Sequence, residues 1–212
     1  MKLDANGFMK GSTGNVTYYN YRGQQRARVK HPLSHHDAET PKQKNQRHKM
    51  TMANGYLCHI KPFIKEYYKI VPPYDAYNAA KRHIINDAHV TLSGTTALDY
   101  SKILVCQGTL APPDSAMMHF NPFEQTFTFT WADNSEQARA NADDQLVFLI
   151  YDNFNNSYYS SLHMGTTATR VDRAFCFKAE HMSPGNYMVY MAFRKNDSTD
   201  VSNSVCVGMV SV

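Results

Sequence analysis

The sequence predicts an α+β protein whose last hundred residues form a β-sandwich. Apolar residues recur at spacings of three and four from Met50 to Tyr68, the period of an amphipathic helix. From residue 114 onward, short β-prone runs follow one another at regular spacing, which is typical of an all-β domain. Tyr and Phe number 14 and 11 among 212 residues, and these side chains favour strands.

Residues 16–30 predict an N-terminal β-hairpin. The β-prone runs Val16–Tyr21 and 26–30 flank a turn that contains Gly23. The preceding residues 7–15 contain three glycines and predict a flexible or tightly turning lead-in.

A long helix is expected to begin at Thr40-Pro41, with Thr as the N-cap and Pro at the first helical position. Pro62 lies inside the helical pattern and should kink the helix or split it in two. Pro72-Pro73 breaks the chain, and a shorter helix over Tyr74–Ile85 follows.

The best domain boundary in the sequence is the Pro-rich stretch 111–114, which follows a β-like run over Ile103–Cys106. It divides the chain into a basic hairpin-and-helix region, residues 1–112, and a β domain, residues 113–212. Seven strands in about 100 residues are the number expected for a seven-stranded immunoglobulin-like β-sandwich. We predict them at Ala116–Asn121, Thr126–Trp131, Gln145–Tyr151, Ser157–Leu162, Ala174–Lys178, Gly185–Arg194 and Ser204–Val212.

The β domain resembles fibronectin type III domains in one motif. The run Met182–Tyr187 is similar to the L-x-P-G-x-x-Y corner of that family, with the tyrosine one residue earlier than usual. Trp131 ends the second predicted strand, where that family often places a core tryptophan. The resemblance implies a sandwich fold in which the tyrosine hydroxyl ties a loop back to the sheet, and it implies no catalysis.

The N-terminal part resembles a Bacteroidetes family of unknown function, whose members occur in bacterial genomes and, we expect, in their phages. The motifs are Gly11-Ser12-Thr13-Gly14-Asn15-Val16, an Arg-Gly turn at residues 22–23, and a helix start at 40–47 that contains Gln43 and Arg47. The chain departs from the family at residues 38–41, where Asn-Pro-x-Thr is usual. The resemblance implies a role in a virion or a surface assembly.

Charge is divided unevenly along the chain. Residues 1–69 contain 13 Lys and Arg against 4 Asp and Glu, whereas residues 70–212 contain 9 against 14. Such asymmetry indicates contact with nucleic acid, an anionic surface or an acidic neighbour, or else a solvated helix. The candidate contact residues for a partner or a nucleic acid are Arg22, Arg26, Arg28, Lys30, Lys42, Lys44, Arg47 and Lys49.

No catalytic, cofactor or metal site is predicted, and we expect a protein that is not an enzyme. The sequence contains no GxSxG, HExxH, SxxK or P-loop motif. His31, His35 and His36 lie close together, but adjacent histidines rarely bind one ion, so solvated loop histidines are expected. The four cysteines form no CxxC pair, and free thiols are expected unless Cys176 and Cys206 pair in an oxidising compartment.

We therefore predict a non-enzymatic structural or interaction protein, a component of a virion or surface assembly that docks through its basic N-terminal region. Its expected partners are protein subunits of that assembly, including copies of itself. The alternative is a nucleic-acid-binding protein that uses the basic hairpin and helix start, with Tyr18, Tyr19 and Tyr21 available for stacking on bases. The N-terminus has no apolar signal region and no run of about 18 apolar residues exists, so a cytoplasmic or virion location without a membrane span is expected.

Overall fold

The structure is a computed structural model that describes residues 2–3, 7–30, 40–92, 95–152, 162–179 and 182–212. The chain divides into two compact units, Met1–Pro41 and Lys42–Val212. The fold is mixed α+β with antiparallel sheets, as predicted.

The first unit is a four-stranded antiparallel sheet in the order β1-β2-β3-β4. The predicted hairpin is confirmed as the pair β3–β4. Of the two alternatives for the lead-in, the tightly turning one is confirmed. The strand β2 pairs with β3 across the turn at Gly14-Asn15, and the Gln25 amide exchanges two hydrogen bonds with the Met9 backbone (2.7 and 3.0 Å). The strands are β1 (Lys2–Leu3), β2 (Met9–Thr13), β3 (Val16–Tyr21) and β4 (Gln24–Val29).

Three α-helices occur in the described part of the second unit, at α1 (Pro41–Cys58), α2 (Lys61–Tyr67) and α3 (Pro73–Asp87). The predicted start at Pro41 is confirmed. The predicted interruption at Pro62 is also confirmed, because Pro62 lies in the first turn of α2, where its missing N–H removes no intrahelical bond.

A short hairpin, β5 (His89–Leu92) with β6 (Thr95–Leu98), follows the helices and was not predicted. The predicted strand over Ile103–Cys106 is wrong. This run is buried but is not part of a ladder, because the backbone N–H groups of Val105 and Cys106 donate to the Ser204 hydroxyl instead (2.9 and 3.4 Å). An apolar run therefore indicated burial here rather than a strand.

Residues 114–211 contain seven described strands in two antiparallel sheets, one of three strands in the order β11-β8-β7 and one of four in the order β10-β9-β12-β13. Six of the seven predicted strands coincide with observed ones to within two residues at each end. Residues 157–161 of the predicted strand Ser157–Leu162 lie outside the described residues. The strands are β7 (Asp114–Asn121), β8 (Thr126–Ala132), β9 (Gln145–Asp152), β10 (Leu162–Thr169), β11 (Ala174–Lys178), β12 (Asn186–Arg194) and β13 (Val205–Ser211).

The central strands β9 and β12 of the four-stranded sheet are buried on both faces, which places two cores in the second unit. One face packs against the three-stranded sheet, where Phe129 and Phe148 stack with ring centroids 4.8 Å apart. The other face packs against the helices, where the rings of Tyr56 of α1 and Tyr151 of β9 lie with their centroids 4.7 Å apart. The boundary predicted at residues 112–113 therefore falls inside the second unit, between elements that share a core.

Candidate docking surface of the N-terminal region

The strand register of the first unit places aromatic and basic side chains on one side of its sheet. In β3 and β4, Tyr19 lies opposite Arg26 and Thr17 opposite Arg28, and residues opposite each other in an antiparallel pair share a face. Tyr21 follows Tyr19 by two positions and joins that side. We call this side of the β3–β4 pair the basic-aromatic face; its six residues are Thr17, Tyr19, Tyr21, Gln24, Arg26 and Arg28.

The other side of the β3–β4 pair is uncharged. Tyr18 lies opposite Ala27 there, and Val16 lies opposite Val29. Of the three tyrosines named as available for stacking, Tyr18 lies on the side away from Arg26.

No described residue of the first unit is buried, in 2–3 or in 7–30. The Tyr19 and Tyr21 side chains are 37% and 46% exposed, although ring burial is the usual reason for aromatic residues in strands. A sheet of this size normally requires a covered hydrophobic face for stability. The described residues of this sheet therefore provide no hydrophobic core of their own.

Arg22 occupies the two-residue turn between β3 and β4. Its φ of 56° and the φ of 75° at Gly23 are both in the left-handed region, as a type I′ hairpin turn requires. Asn, Asp or Gly is the usual residue there, and the left-handed conformation costs an Arg about 1 kcal/mol. Its guanidinium carbon lies 5.2 Å from the centroid of the Tyr21 ring, and that of Arg26 lies 4.9 Å from the same ring.

Lys30 is separated from this cluster. It follows the end of β4, and its Nζ donates to the Gly14 carbonyl at 3.0 Å, near the β2–β3 turn. The side chains predicted as hairpin contacts therefore group as Arg22 and Arg26 around Tyr21, Arg28 further along the same face, and Lys30 at the far end. All four are exposed.

The other four predicted contact residues lie in the first three turns of α1. Lys42, Lys44 and Arg47 are exposed and Lys49 is partly exposed. At 100° per residue they surround the helix, because Lys42 and Lys49 lie on one side and Lys44 and Arg47 on the other.

This charge pattern opposes the helix dipole. The first turn of α1 contains no acidic residue, and the chain contains none from residue 40 to 65. Cations near a helix N-terminus are unfavourable by about 0.3–1 kcal/mol each when exposed. The buried residues of α1 are Ala53, Tyr56 and Leu57, near its end. The first three turns, which contain the basic residues, therefore do not pack into the core.

A family model spans most of the chain, from residue 8 to residue 208, and so includes both the sheet and the helix start. The chain belongs to DUF6266, a family of unknown function. The expectation of a family of unknown function is confirmed, whereas its Bacteroidetes or phage origin stays a prediction. No curated protein matches the chain.

The other candidates from the sequence of this DUF6266 chain are its clustered histidines and its cysteines. His31, His35 and His36 lie outside the described residues. In the part of the chain that the structure describes, no three His, Cys, Asp or Glu side chains are arranged to hold a metal ion, and no helix is long and apolar enough to cross a membrane. The four cysteines are free, with Cys106 buried and Cys176 exposed.

Sequence reasoning identified the cations of the hairpin but not their relation to the aromatic rings. The sequence contained the information for this relation, because a two-residue turn at Arg22-Gly23 fixes the strand register and that register pairs Tyr19 with Arg26. The exposure of Tyr19 and Tyr21 had no such signal, since the same alternation describes a strand with a buried face.

Proposed function

We propose that this protein is a non-enzymatic structural or interaction protein, a component of a virion or surface assembly, that docks onto an anionic neighbour through its basic N-terminal region. The observation that carries the proposal is the sheet of residues 2–29, none of whose described side chains is buried. A sheet that lacks a core of its own gains stability when a partner covers it.

Charge identifies the kind of neighbour. Between Asp4 and Asp37 the sequence contains no acidic residue, and Arg22, Arg26 and Arg28 are exposed together on the hairpin. Complementary charge accelerates encounter and selects partners, and the dipole-opposed lysines of α1 are favourable only when an anion is near. Both elements therefore favour an acidic docking surface.

For residues 114–211 we propose a seven-stranded immunoglobulin-like sandwich of the fibronectin type III kind, acting as a scaffold. Its support is the division into sheets of three and four strands with a shared aromatic core. The Tyr187 hydroxyl also donates to the Ser183 carbonyl at 2.6 Å, the bond expected of a tyrosine corner, and Trp131 is 4% exposed. Such a scaffold implies binding or spacing rather than chemistry.

Size-exclusion chromatography with light scattering, at about 50 and 300 mM salt, tests the docking role. We expect a discrete oligomer that dissociates at the higher salt concentration. The double variants Arg26→Glu/Arg28→Glu and Lys42→Glu/Lys44→Glu should each weaken it.

A matched control is Lys61→Glu/Lys65→Glu on α2, where both side chains are exposed and the change in net charge is the same. The control should assemble like the wild type. A monomer at both salt concentrations would contradict homo-oligomeric assembly. An oligomer unaffected by either N-terminal double variant would contradict docking through the basic region.

The alternative function is nucleic-acid binding through the hairpin and helix start. One observation favours it, the exposure of Tyr19 and Tyr21 beside Arg26, since bases stack on exposed aromatic rings that lie beside cations. A salt-sensitive shift of the elution volume on adding mixed DNA and RNA distinguishes it from self-assembly.

A further inference from the structure

The basic-aromatic face presents two aromatic rings at a fixed spacing. Tyr19 and Tyr21 are on the same side of β3, so their Cα atoms are separated by about 6.8 Å, two residues of an antiparallel strand. Successive bases of an extended single strand can stack on aromatic rings spaced along an open sheet, and every base has a π-face for this purpose. The exposed Tyr19 ring is accessible to such a ligand, whereas at Tyr21 a base would stack on, or displace, one of the guanidinium groups that lie over the ring.

Three guanidinium groups accompany the rings. Arg22 and Arg26 lie 5.2 and 4.9 Å from the Tyr21 ring centroid, and Arg28 is two residues further along β4. Arginine binds phosphate through a planar fork of donors and also stacks on bases. The face therefore combines sites for bases with sites for the phosphates between them.

The same geometry disfavours other anionic ligands. A duplex keeps its bases stacked inside the helix, where Tyr19 and Tyr21 cannot reach them. A peptide of acidic residues alone would pair with the arginines but would leave both rings exposed. Arg22 occupies a left-handed turn position where Asn is the usual residue. An Arg at this position is explained if its guanidinium group is needed beside Tyr21 for ligand binding.

We propose that the basic-aromatic face binds single-stranded nucleic acid, with bases stacked on Tyr19 and Tyr21 and phosphates held by Arg22, Arg26 and Arg28. This inference rests on the alternative function proposed above, nucleic-acid binding through the hairpin, and specifies its ligand as a single strand. Because ring stacking and phosphate contacts carry little information about base identity, binding is expected to be largely independent of sequence.

Fluorescence anisotropy of the full chain with labelled oligo(dT) and oligo(U) of about 15 nucleotides tests the proposal. The two oligomers also distinguish DNA from RNA as the source of the strand. A duplex of equal length and a poly-glutamate peptide of similar charge are the comparison ligands. We expect both single strands to bind more tightly than either comparison ligand, with a log–log salt slope of about −2 for three phosphate contacts.

Substitutions separate the stacking contribution from the charge contribution. Tyr19→Val/Tyr21→Val replaces both rings with valine, which also favours strands. It should weaken single-strand binding at least about tenfold without changing the salt slope. Tyr19→Phe/Tyr21→Phe keeps the rings and should bind like the wild type. Arg26→Glu/Arg28→Glu should reduce the magnitude of the salt slope by about 1.4.

Controls verify the sheet itself. Amide hydrogen exchange over residues 16–29 shows whether each variant retains the β3–β4 ladder. Arg22→Asn supplies a second variant, because Asn suits the turn and should preserve the ladder while weakening binding. Lys61→Glu/Lys65→Glu controls for net charge.

Three results would overturn the inference: wild-type affinity in the Tyr-to-Val variant with its ladder intact, duplex or poly-glutamate binding as tightly as oligo(dT), or no single-strand binding at about 50 mM salt. The proposed docking role fails separately. If poly-glutamate binds and the Arg26→Glu/Arg28→Glu variant loses assembly, docking stands and only the nucleic-acid partner is excluded. If the nucleic-acid partner is excluded and assembly is insensitive to the charge reversals, the docking role and the nucleic-acid inference are both refuted.

Discussion

Breaking the buried ion pair between Arg170 and Asp144 should strongly destabilise the second unit. Both side chains are fully buried, and an Arg170 Nη atom lies 2.9 Å from Asp144 Oδ2. The guanidinium also donates to the Asn134 side chain (2.5 Å) and the Ala111 carbonyl (3.1 Å), and its carbon lies 4.0 Å from the Phe193 ring centroid. One side chain thereby ties together the segments before β7, after β8 and before β9.

Asp144→Ala leaves the guanidinium buried without its counter-charge. Removal of one partner from such a pair costs about 3–5 kcal/mol, a large part of the roughly 5–15 kcal/mol that stabilises an ordinary domain. With a urea dependence of about 2 kcal/mol per molar, the unfolding midpoint should fall by about 2 M. Asp144→Asn keeps an acceptor and should lower the midpoint less.

Replacing both partners should be far less harmful than replacing one. Asp144 Oδ1 and Arg170 Nε have no hydrogen-bond partner within the described part of the chain, so the pair does not fully offset its desolvation. The double variant Arg170→Met/Asp144→Leu should therefore lie within about 1–2 kcal/mol of the wild type.

Urea unfolding followed by tryptophan fluorescence measures these differences. Trp131 is the only tryptophan, and its indole N–H donates to the Arg170 carbonyl at 2.8 Å. The fluorescent side chain therefore lies beside the ion pair that the substitutions change. A loss below about 1 kcal/mol for Asp144→Ala would refute the reasoning, as would a double variant as unstable as the sum of its single variants.

Three further predictions concern other parts of the molecule. Gly108→Ala should destabilise by about 1–3 kcal/mol, because a Cβ there would collide with the Val201 carbonyl oxygen; an unchanged urea midpoint would contradict this. Lys42→Glu should raise the urea midpoint of the isolated protein by the equivalent of about 0.3–1 kcal/mol, since an acid suits the first turn of α1, even though it weakens docking; a lower midpoint would contradict the dipole argument. Burial raises the pKa of Tyr56 and of Tyr190, whose hydroxyls are bonded at 2.9 Å, so the fold keeps protons that the unfolded chain loses above about pH 10. Their contribution is fully present below that pH and falls by up to about 1.4 kcal/mol per pH unit per tyrosine above it; urea midpoints from pH 8 to 11 that decline no faster in the wild type than in Tyr56→Phe would contradict it.

Local signals predicted much of the fold because they act within a few residues. Thr40-Pro41 preceded a helix, Pro62 separated two helices, and alternation in residues 126–131 and 187–193 marked β8 and β12. The error at Ile103–Cys106 has the same origin. A short apolar run specifies burial, and whether it joins a ladder depends on a partner strand that the run itself does not encode.

The candidate docking surface was only partly predictable from the sequence. Residue order alone showed the accumulation of cations in the N-terminal part. Which tyrosines share a face with Arg26 and Arg28 depended on the register across the turn, which moves every side chain to the other side if it slips by one residue. Their exposure depended on the absence of buried residues in the described sheet, a property of the whole unit.

The sequence by itself determined where the chain becomes helical or extended and how its charge is distributed, since both follow from residue type and short-range spacing. Only the tertiary structure decided that the central strands of one sheet are covered on both faces, and that Arg170 meets Asp144 across 26 residues. Such contacts depend on how distant segments pack, and a buried charge is tolerated only where the assembled fold supplies its partner.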